Sequence, residues 1–181
     1  APAGAIPATI LLVEDEPITR ASMAARLKRF GYRVLEIDNG LEALEMARRE
    51  RPDLIVVDWM MPGMDGPTFC ETLRRDPAMK STYLLLMTAR DQPAQIAEGL
   101  ARGADDFLSK ATSKEEIRAR VLAGLRTSRL VRELEATAEK LESSLLLLQT
   151  KHAEMDADLK SAAYFVHSLL PPQGSPIPGI A

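Results

Sequence analysis

The sequence predicts an α/β fold: a five-stranded parallel, doubly wound sheet, extended by one long C-terminal coiled-coil helix. Three observations predict it. From Thr9 to about Arg126, short apolar runs alternate with segments of helical period. After Arg126 a single apolar heptad repeat takes over. Within the first stretch, Asp58 closes the run Leu54-Ile55-Val56-Val57, which puts a carboxylate at the C-terminal end of a buried strand, where α/β sheets hold their ligands. An acid in that place is costly to bury without partners.

The strands are expected at Ile10–Val13, Arg33–Ile37, Leu54–Val57, Tyr83–Met87 and Asp106–Leu108, because each is a short apolar or β-branched run bounded by polar or turn residues. Helices are expected at Pro17–Phe30, Leu41–Glu50, Pro67–Arg75, Pro93–Arg102 and Ser113–Arg126. Pro17, Pro67 and Pro93 suit first turns, where a missing amide leaves nothing unpaired. Gly31 stands where a left-handed C-cap is required.

With 181 residues, the chain has room for one ordinary domain and an extension. A hydrophobic share of 46%, a charged share of 27% and a net charge of -3 give no basic excess for nucleic acid. No apolar run reaches the roughly 18 residues of a membrane span, so a cytoplasmic setting is expected. Cys70 is the sole cysteine, which excludes an internal disulfide and a cysteine metal cluster. Residues 1–8 read as a flexible leader, 9–126 as the globular domain, 127–170 as a dimerisation and signalling helix, and 171–181 as a Pro-rich tail.

The heptad seam runs through Val131, Leu134, Ala138, Leu141, Leu145, Leu148, His152, Met155, Leu159, Ala162, Val166 and Leu169, alternating three and four apart without a slip, with Val131 at an a position. Such a helix would be about 57 Å long at ~1.5 Å per residue, too long to fold back on a small domain in one piece. A parallel homodimeric coiled coil is therefore expected, with His152 as a polar seam residue that fixes register. Lys151 and Asp156 allow one attractive interchain pair, and Leu146 with Leu147 widens the apolar surface beyond the seam. Pro171-Pro172 ends the helix.

In strand order 2-1-3-4-5, Glu14 and Asp15 at the end of the first strand converge with Asp58 at the end of the third. Three clustered anions repel, and a hard divalent ion such as Mg²⁺ resolves the repulsion. Thr88 ends the fourth strand and Lys110 follows the fifth, bringing a hydroxyl and a cation to the same edge. Acids, a hydroxyl and a lysine around a metal make a phosphoryl-transfer site. Taken singly, each residue has a plainer use: Glu14 and Asp15 as helix N-terminal acids, Asp58 as a cap, Thr88 as a strand-end hydroxyl, Lys110 as a surface cation and Phe107 as core. Cys70 reads as a buried small hydrophobe and Trp59 as a loop aromatic near the site.

Leu12-Val13-Glu14-Asp15-Glu16-Pro17, Asp58 with Met61-Pro62-Gly63-Met64-Asp65-Gly66, Met87-Thr88-Ala89, and Gly103-Ala104-Asp105-Asp106-Phe107 with Lys110 together resemble bacterial response-regulator receiver domains, over about Thr9 to Arg126. The resemblance implies a flavodoxin-like (CheY-like) fold. It also implies that Asp58 accepts a phosphoryl group from a sensor histidine kinase or phosphotransfer protein, and that Glu14, Asp15, Asp58 and the backbone carbonyl of Met60 hold Mg²⁺. Lys110 would pair with the phosphoryl group, Thr88 would hydrogen-bond it, and Phe107 would be the aromatic switch. Many receivers have proline after the lysine; here Ala111 follows Lys110, which leaves that loop either trans or strained. Met60 and Arg90 occupy positions that tune phosphoryl lifetime in the family, and slow self-dephosphorylation is expected from them.

More weakly, Asp158-Leu159, Ala162-Ala163 and His167-Ser168-Leu169-Leu170-Pro171-Pro172 resemble the linker before PPM-class serine/threonine phosphatases. That resemblance implies an output domain missing from this chain. The chain itself would be no enzyme beyond a phosphoacceptor with possible self-dephosphorylation. The alternatives are a constitutive receiver-fold scaffold, a stand-alone adaptor, or another output such as a diguanylate cyclase. A Mg²⁺-dependent small-molecule phosphatase with an aspartate nucleophile would need a second aspartate where Met60 stands.

Overall fold

The computed structural model describes residues 7–89 and 93–169. Five strands, β1 (Thr9–Val13), β2 (Arg33–Ile37), β3 (Leu54–Asp58), β4 (Tyr83–Thr88) and β5 (Asp106–Ser109), form one parallel sheet in the order β2-β1-β3-β4-β5. Between them lie α1 (Pro17–Arg29), α2 (Gly40–Glu50), α3 (Gly66–Arg74) and α4 (Pro93–Ala101). After the sheet comes α5 (Lys114–Leu169). This is the flavodoxin-like architecture expected, and the strands β1, β3 and β4 are buried on both faces, as their continuous apolar runs require.

Successive side chains point to opposite faces and build two cores. On one face Leu11, Val13, Ile55, Val57, Leu84 and Leu86 meet Leu44, Phe69 and Leu73. On the other, Ile10, Leu12, Leu54, Val56, Leu85 and Met87 meet Met23, Leu27, Ile117 and Val121. β1, β3 and β4 stand side by side, with Val13 opposite Val57 and Asp58 opposite Met87. That register brings their C-terminal ends to one edge.

Local chemistry explains the element ends. Glu16, Asn39 and Asp65 cap α1, α2 and α3 through their side-chain oxygens. Gly31 adopts φ 92° after α1, where Gly31 N–H donates to Lys28 and Tyr32 N–H to Leu27, closing the helix as expected. Arg51 ends α2 in the left-handed region at φ 45°, a place usually left to glycine or asparagine.

The expected fifth helix and coiled-coil segment form a single helix, with no break near Arg126. The chain divides into two compact units, the first ending at Glu133 and the second starting at Leu134. In the first unit, Gly124 lets α5 approach the sheet: a Cβ there would lie 2.5 Å from the Tyr83 ring and 2.8 Å from Leu54 Cδ1. Two turns on, Arg132 bonds the Asp53 carboxylate and the Pro52 carbonyl. In the second unit, Leu134, Leu141, Leu145, Leu148, Met155, Leu159 and Val166 are exposed in the single chain, and so is His152. Val131 is half-buried. Among the described residues no helix is long and apolar enough to cross a membrane. The Pro171-Pro172 stop lies outside the described residues.

Candidate functional site

The sheet edge gathers the predicted acids. Glu14 is fully buried and Asp58 is 3% exposed, while Asp15 is half-buried. One carboxylate oxygen from each lies within 4.8 Å of the others. β1 places Glu14 directly, since Glu14 N–H donates to the Ile37 carbonyl and so continues the ladder past Val13. β3 places Asp58 as its last residue.

Lys110 reaches into this cluster from the loop after β5. Its Nζ lies 2.9 Å from Asp58 Oδ1 and 2.8 Å from Glu14 Oε2, and it donates to Glu14 Oε1 at 3.1 Å. Lys110 N–H donates to the Thr88 carbonyl, which ties its backbone to the end of β4. Among the described residues no peptide is cis, so the Lys110–Ala111 bond is trans, and the lysine reaches both acids without the proline common in this position.

Burial pushes the Asp58 carboxyl above its ordinary range, although Lys110 pulls the other way and Asp15 adds to the rise. Glu14 is also raised by burial, opposed by its bond to Lys110 and reinforced by the Asp58 charge. Burial works against the Lys110 charge too, yet its bonds to Glu14 and Asp58 hold the ammonium above its ordinary value. One cation thus faces two buried acids with a third beside them, and Glu14 Oε2 has no aligned hydrogen bond. An oxygen-only donor set of three carboxylates that meet within 4.8 Å fits a hard divalent cation.

The loop after Asp58 is built by glycine. Gly63 takes φ 78°. Gly66 N–H donates to the Trp59 carbonyl, and a Cβ on Gly66 would lie 2.3 Å from the Asp58 carbonyl oxygen. Met60 is 73% exposed at the rim. Trp59 lies in the loop beside the site, as expected, and is buried there: its N–H donates to the Met87 carbonyl, and its ring packs where Gly99 of α4 leaves room. Cys70 is buried as expected, and burial pushes its thiol up to about 12.

Thr88 is buried at the end of β4. Phe107 is half-buried against the core on the α2–α3 side of the sheet, and the Arg120 guanidinium lies 5.3 Å from its ring centroid. Arg120 is itself held by both carboxylate oxygens of Asp106. The sequence reading missed Arg120 and also Arg20, whose Nη1 donates to the carbonyls of Glu14 at 2.6 Å and Asp15 at 3.2 Å. Arg90 lies outside the described residues.

The family model of the response regulator receiver domain matches residues 10–122. The chain belongs to that family. Among curated relatives, this receiver is 41% identical over 121 residues to the alkaline phosphatase synthesis transcriptional regulatory protein PhoP of Bacillus subtilis, covering 67% of this chain and 50% of that protein. It is 43% identical over 123 residues to the transcriptional activator protein PfeR of Pseudomonas aeruginosa, covering 68% of this chain and 39% of that one. The chain therefore spans about half or less of these relatives' length. Among solved structures, the BeF3-activated N-terminal receiver domain of RstA from Klebsiella pneumoniae superposes with a TM-score of 0.62 at 34% identity, over 65% of this chain and 98% of that one. As receiver domains bind Mg²⁺ at an acidic pocket, the Glu14, Asp15 and Asp58 cluster is the matching feature here.

Proposed function

We propose that this chain is the phosphorylatable receiver of a two-component system, with Asp58 as the acceptor. The observation that carries the reading is the convergence of Glu14, Asp15 and Asp58 with Lys110 bonded to Asp58 and Glu14. An Asp58 carboxylate oxygen attacks the phosphorus of a phosphohistidine on a sensor kinase or phosphotransfer protein. The P–N bond breaks, the imidazole leaves with its electron pair and takes up a proton, and an acyl phosphate remains on Asp58. Lys110 then faces the phosphoryl oxygens instead of a bare carboxylate, and Thr88 supplies a hydroxyl to them. Glu14, Asp15, Asp58 and the Met60 carbonyl would hold Mg²⁺, which supplies charge neutralisation for the equatorial oxygens when bound. Phe107 follows Thr88 by turning further into the core, and the α4–β5–α5 surface changes with it.

The seam of α5 gives the phosphorylated state something to act on, as a parallel homodimer through Val131 to Val166 and, in the sequence, Leu169. His167 and Leu169 have no described side chains. For the output, the resemblance over Asp158 to Pro172 supports a PPM-class phosphatase, while the names of the curated relatives support a transcriptional output; reading the coding sequence past Ala181 chooses between them.

Incubation of the full chain with Mg²⁺ and acetyl phosphate tests the acceptor. The intact mass is expected to rise by one phosphoryl group, with the label mapped to Asp58 and lost in Asp58→Asn. Labelling that persists in Asp58→Asn overturns the assignment.

A further inference from the structure

The β1–α1 loop is held by contacts that the roles above do not use. Its backbone carries two of the three acids, yet its only covalent support is a short turn between a strand and a helix. Glu14 N–H is taken by Ile37 of β2, Glu16 N–H by the Glu14 side chain at 3.3 Å, and the Glu16 carboxylate by Ile18 and Thr19 N–H at 3.1 and 2.6 Å. The carbonyls of Glu14 and Asp15 point to the same guanidinium nitrogen, Nη1 of Arg20, one turn into α1. A loop that must aim two carboxylates at Asp58 is thus pinned on its amide side by the sheet and the helix cap, and on its carbonyl side by one arginine.

We propose that Arg20 is a positioning residue for the cation half of the site. By holding both carbonyls it fixes the backbone from which Glu14 and Asp15 project, so that their oxygens meet Asp58 within the span a small cation bridges. Outer groups that orient metal ligands in this way commonly change affinity by about 10- to 100-fold when removed. The inference rests on the Mg²⁺ reading proposed above.

The sign of the effect separates positioning from simple charge. Arg20 is itself a cation beside a cation site, so by Coulomb's law alone its removal would tighten Mg²⁺ binding. Loss of positioning does the reverse.

The test is Mg²⁺ titration of the full chain, followed by fluorescence of Trp59, the sole tryptophan and the residue after Asp58. Wild type, Arg20→Ala and Arg20→Lys are compared well below their melting temperatures, with Asp15→Asn as the control that loses a ligand. Arg20→Ala is expected to bind Mg²⁺ about tenfold more weakly. Arg20→Lys keeps the charge but is one bond shorter, and is expected to fall between. Affinity in Arg20→Ala equal to or above wild type overturns the inference while leaving the metal reading intact. Should Arg20→Ala not fold, wild-type affinity in Arg20→Lys overturns it. Failure of wild type itself to bind Mg²⁺ overturns the metal reading and this inference together.

Discussion

Asp58 and Glu14 hold their charges in a place that burial disfavours, and this fixes how metal-free stability depends on pH. Both pKa values are raised, first by burial. The folded protein then binds more protons than the unfolded chain between the unfolded and folded pKa values, so these groups lower stability at neutral pH and cease to do so as pH falls through the folded values. In the presence of a chelator, Asp58→Asn is expected to melt above wild type at pH 7 to 8. The gap should shrink as pH falls toward the ordinary aspartate value of 3.8. Calorimetry across that range checks it; a gap that widens on acidification would show that the Lys110 attraction outweighs burial. The acids, Thr88 and Lys110 were legible in the sequence because each follows a recognisable strand. Arg20 was not: its function depends on a side chain bending back to carbonyls, and carbonyl direction leaves no mark in residue order.

Elements were legible where local chemistry decides them. Prolines marked the starts of α1, α3 and α4 to within a residue, and the apolar runs located the five strands; the short 3-10 turn Pro77–Met79 was not expected. Strands β3, β4 and β5 each run one residue past the expected end, to Asp58, Thr88 and Ser109, because the ladder continues through the pairs Asp58–Met87 and Thr88–Ser109. The burial of Trp59 was not legible, because its pocket exists only where Gly99 of another helix lacks a side chain. Glycine also controls the loop after β3. Gly66→Ala would force a methyl to 2.3 Å from the Asp58 carbonyl and 2.7 Å from Leu86 Cδ2, contacts that real structures do not tolerate. It is expected to destabilise by about 2–3 kcal/mol in urea unfolding; a loss below half of that would mean the loop yields easily. At the base of α5, Asp53 accepts from Thr9 N–H at 2.7 Å and from Arg132, so one carboxylate joins β1 to the helix. Arg132→Ala is expected to cost about 1 kcal/mol and to speed amide exchange over Gly124–Arg132 first. Uniform exchange along the whole helix would contradict a local clasp.

The molecule as a whole joins a receiver to a helix whose apolar seam is exposed in the single chain. Composition alone bounded the class, ordered motifs identified the family, and heptad spacing identified the helix; because no residue near Arg126 breaks or caps it, the fifth helix was expected to lead directly into the seam, and the two form one unbroken helix. If Asp58 acts through α5, changing the acceptor must change assembly. Sedimentation of the full chain with Mg²⁺ and beryllofluoride, a phosphoryl mimic, is the most direct measurement. The monomer–dimer equilibrium should shift in wild type and stay fixed in Asp58→Asn. An equilibrium that is the same with and without beryllofluoride in wild type, under conditions where the mimic is bound, would contradict the switch and leave a constitutive scaffold.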